Sequence, residues 1–133
     1  MFRKTMLISL LGVMMITVPA SGASLPGEVK AALDKAQIKV YPGAVYCTGN
    51  LQVGVRFATS DAPEKVRAWY RKQYPDWSLQ DQYGMWSLYD GPPGQGLGAI
   101  MSTRNMSIQH NAQVPGWHSL PANMTTEILI AAP

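Results

Sequence analysis

An amphipathic helix between two groups of strand-like segments is the feature that most constrains the fold of this chain. Residues 61–74 place apolar side chains such as Val66 and Tyr70 at helical spacing. The stretch 51–58, before this helix, alternates between apolar and polar side chains, and about four more strand-like segments follow it. Strands that come in a run favour an α+β fold. We expect an antiparallel sheet of five to six strands, with this main helix packed on one face and a short N-terminal helix over 26–36.

Turn and cap residues predict where these elements begin and end. A turn at 48–50 is expected to precede the alternating strand, which then starts at Leu51. Asp61 is predicted to cap the main helix, with Pro63 in its first turn and Glu64 completing a capping box.

The glycine-rich stretch 90–98 invites comparison with a phosphate-binding loop. Such a loop needs a helix directly after it, whereas residues 99–101 have the composition of a strand. We therefore interpret 90–98 as a hairpin loop, followed by strands over 100–109 and 124–131.

The N-terminus has the order of regions that is typical of a secretory signal peptide. Two basic residues at positions 3 and 4 precede a mostly apolar run over 6–18, and small residues follow over 19–23. The run of 13 residues is shorter than the 20 or so residues that a membrane-spanning helix needs. The pattern predicts a signal peptide at 1–23 and a single domain at 24–133 that is periplasmic or secreted, with no stable membrane anchor after cleavage.

Charge and cysteine content narrow the possible partners. Removing Arg3 and Lys4 from the eleven basic residues leaves nine against eight acidic ones, a net charge of +1. A balance so close to neutral gives no reason to expect a nucleic-acid partner. Cys47 is the single cysteine, so the domain has no internal disulfide. It is expected in the interior, or in a disulfide with another chain.

Two groups of residues are candidates for binding. The main helix carries Lys65, Arg67, Arg71 and Lys72, and the spacing of Arg67 and Arg71 would let both hold one carboxylate or phosphate. Trp117 lies in a loop between Pro115-Gly116 and a histidine, where an exposed aromatic side chain would be a binding hot spot. These residues predict a surface for another envelope or secreted protein.

Soft metal ligands in the second half give an alternative. Met101, Met106, His110 and His118 offer thioether and imidazole groups, which suit Cu(I). Met106 and His110 would share a face of one strand. No tight ligand spacing supports the site, and methionine also fills apolar cores, so no cofactor is expected in the preferred interpretation.

Residues 41–90 resemble a group of small exported bacterial proteins. The resemblance rests on the turn Tyr41-Pro42-Gly43 and on the helix start TSD-x-P-E-x-V, which stands here at 59–66. It implies a turn, a strand and a helix in an exported protein. The group has no assigned activity, so the resemblance assigns no site residue.

Motifs for catalysis are missing from the sequence: it contains no Gly-x-Ser-x-Gly elbow and no His-Glu-x-x-His pair. The function we expect is that of an exported, non-enzymatic binding module for another envelope or secreted protein. A copper-binding protein and an inhibitor or immunity-type protein are the alternatives.

Overall fold

The computed structural model describes residues 25–82, 84–110 and 123–133, which form three helices and six strands. The helices are α1 (Gly27–Ala36), α2 (Pro63–Gln73) and α3 (Leu97–Met101). The strands are β1 (Val45–Asn50), β2 (Gly54–Thr59), β3 (Ser78–Gln82), β4 (Met85–Tyr89), β5 (Asn105–His110) and β6 (Thr126–Ala131). The predicted signal peptide lies outside the described residues. Within them, no helix has the length and apolar character needed to cross a membrane.

The six strands form one sheet in the order β1-β2-β6-β5-β4-β3. Every neighbouring pair is antiparallel. β6 comes last along the chain, yet it lies between β2 and β5 in the middle of the sheet. The predicted α+β fold is confirmed, with its antiparallel sheet, one main helix and a short N-terminal helix.

One side of the sheet, which we call the front face, forms the core. Because side chains alternate along a strand, residues paired across neighbouring strands share a face. Val55 pairs with Ile130, Ile130 pairs with Met106, and Met106 pairs with Leu88. None of these four side chains is accessible to solvent. A continuous apolar row therefore crosses four strands.

Helix α2 lies over the front face and holds the connection between α1 and β1. The Tyr70 hydroxyl donates to the Lys39 carbonyl at 2.9 Å and accepts from the Tyr41 N–H at 3.0 Å. One turn further along α2, the Tyr74 hydroxyl donates to the Gln37 carbonyl at 3.1 Å and accepts from the Lys39 N–H at 2.7 Å. Two phenols thus satisfy backbone groups of a segment that belongs to no ladder.

The turn between β1 and β2 lies three residues later than predicted. It spans 51–53 instead of 48–50. Asn50 Oδ1 accepts from the backbone N–H groups of Gln52 at 3.0 Å and Val53 at 3.2 Å. This side-chain turn competes with the ladder, so the alternating pattern does not extend to Val53, which is 81 % exposed.

The predicted cap of α2 is wrong, whereas Pro63 does occupy the first turn. The residue at the N-cap is Ala62, and no side chain caps the helix. The Asp61 carboxylate instead accepts from the Tyr41 hydroxyl at 2.5 Å. A charged acceptor forms a stronger bond with a phenol than a neutral one does, so Asp61 ties α2 to the segment before β1. Glu64 therefore completes no capping box.

The strand predicted over 100–109 is also partly wrong, because the glycine-rich loop leads into helix α3 and β5 begins only at Asn105. Two side chains turn the backbone between them. Thr103 Oγ1 donates to the Ile100 carbonyl at 2.9 Å, and Asn105 Nδ2 donates to the same carbonyl at 3.2 Å. Such local bonds favour a turn over an extended chain. With five residues, α3 is too short to restore the phosphate-loop interpretation.

Candidate functional site

The four basic residues of α2 differ in how free they are, and Arg67 is the most engaged. Its Nε and Nη2 donate to the Ile108 carbonyl at 3.1 and 2.7 Å, and its guanidinium lies 5.5 Å from the centre of the Trp86 ring. The pairing of β4 with β5 ends at Ser87 and Ser107, so the Ile108 carbonyl lies just beyond that ladder. Arg67 supplies the hydrogen-bond donors for this carbonyl and so connects α2 to the sheet.

The other predicted contact residues of α2 remain on the surface. Arg71 and Lys72 are exposed, and Lys65 Nζ lies 3.6 Å from the carboxylate of Asp61. Two guanidinium nitrogens of Arg67 already donate to one carbonyl. If Arg67 and Arg71 bound one carboxylate or phosphate together, Arg67 would have to use its remaining nitrogen. Trp117 lies outside the described residues.

Among the predicted ligands, His110 comes together with Arg67. They line an open cleft of about 460 Å³ with Ser60, Glu64 and Thr125, at the start of α2. The cleft mixes basic and acidic groups, and its Arg67 guanidinium is already bonded to the sheet. The cleft therefore has no single charge that would select a ligand.

The predicted copper ligands are dispersed. Met101 lies on α3 and is 63 % exposed, whereas Met106 is fully buried in the core. His110 lies on the same face of β5 as Met106, as predicted, but at the exposed end of the strand. His118 lies outside the described residues. No group of three or more His, Cys, Asp or Glu that could hold a metal ion occurs in the described segments, and the copper alternative stays a prediction.

Cys47 is half-buried on the edge strand β1. The pairing register of β1 with β2 shifts between Tyr46 and Thr48, so Cys47 lies in a β-bulge. Burial raises the pKa of its thiol, an effect that the positive charge of Arg56 partly offsets. A raised pKa keeps the sulfur in the less nucleophilic thiol form.

Among the residues that the structure describes, most well-exposed large apolar side chains lie on β3, β4 and α3. Within the described ranges, five large apolar side chains are well exposed, and four of them belong to these elements. These four are Leu79 (40 %), Met85 (46 %), Leu97 (53 %) and Met101 (63 %). The fifth, Val53, stands alone in the β1–β2 turn. Leu97 and Met101 are four residues apart and share one side of α3.

Two of these four side chains, Met85 and Leu97, line a groove on the face of the sheet opposite the core, which we call the back face. Leu79 lies on the front face, because it pairs with Leu88. The groove has a volume of about 190 Å³ and runs between α3 and the strands β3 and β4. Its lining, which we call the α3 groove, consists of Gln80, Gln82, Met85, Ser87, Gln95, Gly96, Leu97 and Ile100. Gln80 is paired with Ser87, and Gln82 with Met85, so two strands contribute to one wall.

The α3 groove combines apolar side chains with amides and a hydroxyl. No described residue that lines it is charged. Amides both donate and accept hydrogen bonds, which suits the recognition of a peptide backbone. None of the described lining residues has a titratable side chain, and Ser87 Oγ shares a hydrogen bond with Ser107 Oγ at 3.2 Å.

Sequence reasoning did not find this groove. Its lining comes from β3, β4 and α3, which only the folded chain brings together. One signal was present: Leu97, near the end of the glycine-rich stretch, and Met101, just after it, stand at helical spacing. The interpretation of residues 99–101 as strand concealed it.

Comparison with known proteins gives no relative. No family model matches the chain, and no curated protein or solved structure is significantly similar to it.

Proposed function

We propose that this protein is an exported, non-enzymatic binding module that binds another envelope or secreted protein through the α3 groove. The observation that carries the proposal is a groove whose described lining has no charged residue and includes two well-exposed apolar side chains, Met85 and Leu97. The basic, apolar and small-residue regions at the N-terminus support a location in the periplasm or outside the cell.

Exposed apolar side chains that cluster mark a place where another surface can exclude water. Each square ångström of apolar surface buried contributes about 25 cal/mol, so covering Leu97, Met101 and Met85 together would drive association. Methionine also adapts its shape to a partner, because its side chain is unbranched and flexible. An inhibitor or immunity-type role is one specific form of this function.

Site-specific photo-crosslinking in the native host tests the proposal. The full-length chain, with its own signal sequence, carries benzoylphenylalanine at position Leu97, Arg71 or Val53 in separate strains. Leu97 reports the α3 groove, Arg71 reports the basic face of α2, and Val53 is an exposed apolar control far from both along the chain. We expect a protein-sized adduct from position 97 and none from position 53.

Two outcomes would contradict the proposal. An adduct from position 71 with none from position 97 would assign binding to the basic face of α2. Equal adducts from 97 and 53 would mean that contact is unspecific. A matched substitution sharpens the test: Leu97→Ser should reduce capture by a crosslinker at Met85, whereas Val53→Ser should leave it unchanged.

A further inference from the structure

The edge strand β3 presents backbone groups, beside the α3 groove, that no described strand pairs with. Asp90, directly after β4, donates its backbone N–H to the carbonyl of Arg104, directly before β5, at 2.9 Å. The backbone N–H and C=O groups of Asp90 therefore point toward β5. Backbone directions alternate along a strand, and Ser87 therefore faces β3. Its partner Gln80 must face β4 in return.

The two residues that flank Gln80 consequently point the other way. Leu79 and Asp81 direct their N–H and C=O groups away from β4, toward the free edge of the sheet. No strand pairs with this edge in the part of the chain that the structure describes. An edge with unmet donors and acceptors is a template for another extended chain.

The opposite edge of the sheet is less suited to such pairing. β1 carries the bulge at Cys47, and bulges twist an edge strand and interrupt its hydrogen-bonding register. β3 pairs with β4 through five consecutive residue pairs without a register shift. A regular, exposed edge next to the α3 groove is therefore found at β3.

We propose that the partner adds an extended segment to the free edge of β3, as a seventh strand of the sheet. The inference rests on the proposed binding function and names the form in which the partner binds. Backbone hydrogen bonds to Leu79 and Asp81 would supply affinity, and alternate side chains of the segment would enter the α3 groove.

The chemistry of β3 defines the segment. On the groove side its neighbours are Gln80 and Gln82, so uncharged side chains fit there, and burying a charge against them would be unfavourable. On the other side its neighbours are Leu79 and Asp81. An apolar residue beside Leu79 and a basic residue beside Asp81 complement these two side chains.

Selection from random heptapeptides displayed on phage, with the purified mature protein as bait, tests this inference. We expect enriched peptides with uncharged residues at every second position and an excess of lysine or arginine over acidic residues between them. Asp81→Pro removes one outward N–H group, and proline is tolerated where that group faces solvent. It should weaken binding of a selected peptide by roughly tenfold.

Asp81→Ala is the matched control, because it removes the carboxylate and keeps the N–H group. It should bind an uncharged selected peptide as the wild type does. Amide hydrogen exchange on the unaltered protein gives a second readout: the peptide should slow exchange at Leu79 and Asp81, while Gln80 is already protected. This measurement does not depend on whether the proline variant folds.

The outcomes separate this inference from the proposed function. If selected peptides lose binding on Leu97→Ser but bind Asp81→Pro and Asp81→Ala equally, the groove binds proteins without strand addition, and only the inference fails. If no peptide is enriched, or the amides of Leu79 and Asp81 exchange at unchanged rates with a peptide bound, the inference also fails. A concentration-dependent dimer that masks this edge would assign it to a second copy of the chain.

Discussion

The front and back faces of the sheet are made by the same strands and differ in how much apolar side chain they bury. On the front face, Phe57, Ile128 and Ile108 lie side by side in the core, and none is more than 1 % exposed. The back face carries the ion pair of Arg56 and Glu127 and polar side chains, together with the α3 groove. The front face is stabilised mainly by buried apolar side chains, whereas the back face carries more hydrogen-bonding and charged side chains.

This difference separates the residues that stabilise the fold from those of the proposed binding groove. Core packing on the front face supplies most of the apolar burial, so substitutions there are expected to be costly. The back face contributes less apolar burial, although Ala58 and Tyr89 are buried there. Arg56 shows where the separation is least complete: burial lowers the pKa of its guanidinium, and its Nε is buried without a hydrogen-bond partner among the described residues.

The largest effect on the free energy of unfolding is expected when two neighbouring residues of β6 are each replaced by alanine. Ile128→Ala, on the front face, should lower the free energy of unfolding by about 2–5 kcal/mol, since it opens a cavity in the core. Leu129→Ala removes a side chain of similar size from the back face and should cost about 1 kcal/mol. Urea denaturation of both variants measures the difference. Equal losses would show that the two faces are equally packed.

The second effect concerns the helix that covers the front face. Tyr70→Phe leaves the Tyr41 N–H and the Lys39 carbonyl without their partner and should cost about 1–3 kcal/mol. Tyr74→Phe is the matched control one turn away, where water can replace the more exposed hydroxyl, and it should cost less than about 1 kcal/mol. Thermal unfolding distinguishes the two; a larger loss for Tyr74→Phe would contradict this ranking.

A third comparison uses two arginines of α2, one facing the sheet and one facing solvent. Arg67→Met loses two hydrogen bonds to the Ile108 carbonyl and should lower stability by about 1–2 kcal/mol. Arg71→Met should change stability by less than about 0.5 kcal/mol, because Arg71 is exposed. If Arg71→Met instead weakens partner capture in the crosslinking assay, the basic face contributes to binding.

The last effect is absent near neutral pH. It is a decrease of the unfolding free energy with rising pH that appears only at alkaline pH. Burial, with the hydrogen bond to Asp61, raises the pKa of Tyr41 from 10.0 to about 12. Between these values the unfolded chain releases this proton first, so stability that is complete below pH 10 falls as the pH rises toward 12. Tyr41→Phe should show a shallower decline in unfolding free energy measured over this range. An unchanged decline would assign it to other tyrosines.

Local patterns predicted the elements that need only one face to be apolar. The spacing of Val66 and Tyr70 identified the buried side of α2, and alternation identified Val55 and Phe57 on β2. Predictions failed where a side chain had a choice of partner that only the folded chain decides. The Asp61 carboxylate could cap α2 or accept a hydrogen bond from Tyr41, and in the structure it binds the Tyr41 hydroxyl. Asn50 formed a turn that the apolar pattern did not reveal.

The candidate site was less predictable than the fold, for the same reason. Arg67 and Arg71 are equivalent in sequence spacing, and only the position of the Ile108 carbonyl distinguishes them. Met85 and Leu97 become neighbours because α3 folds back over β3 and β4. The exposure of an apolar side chain depends on how the whole sheet packs, so a short stretch of sequence does not predict it.

The central position of β6 has a consequence for the order in which the molecule can assemble. β1 and β2 form one ribbon, and β3, β4 and β5 form another, but neither pairs directly with the other. Residues 126–131 join them, so a growing chain holds two unjoined ribbons until these residues are available. The six-stranded sheet is therefore complete only when β6 has paired with both β2 and β5.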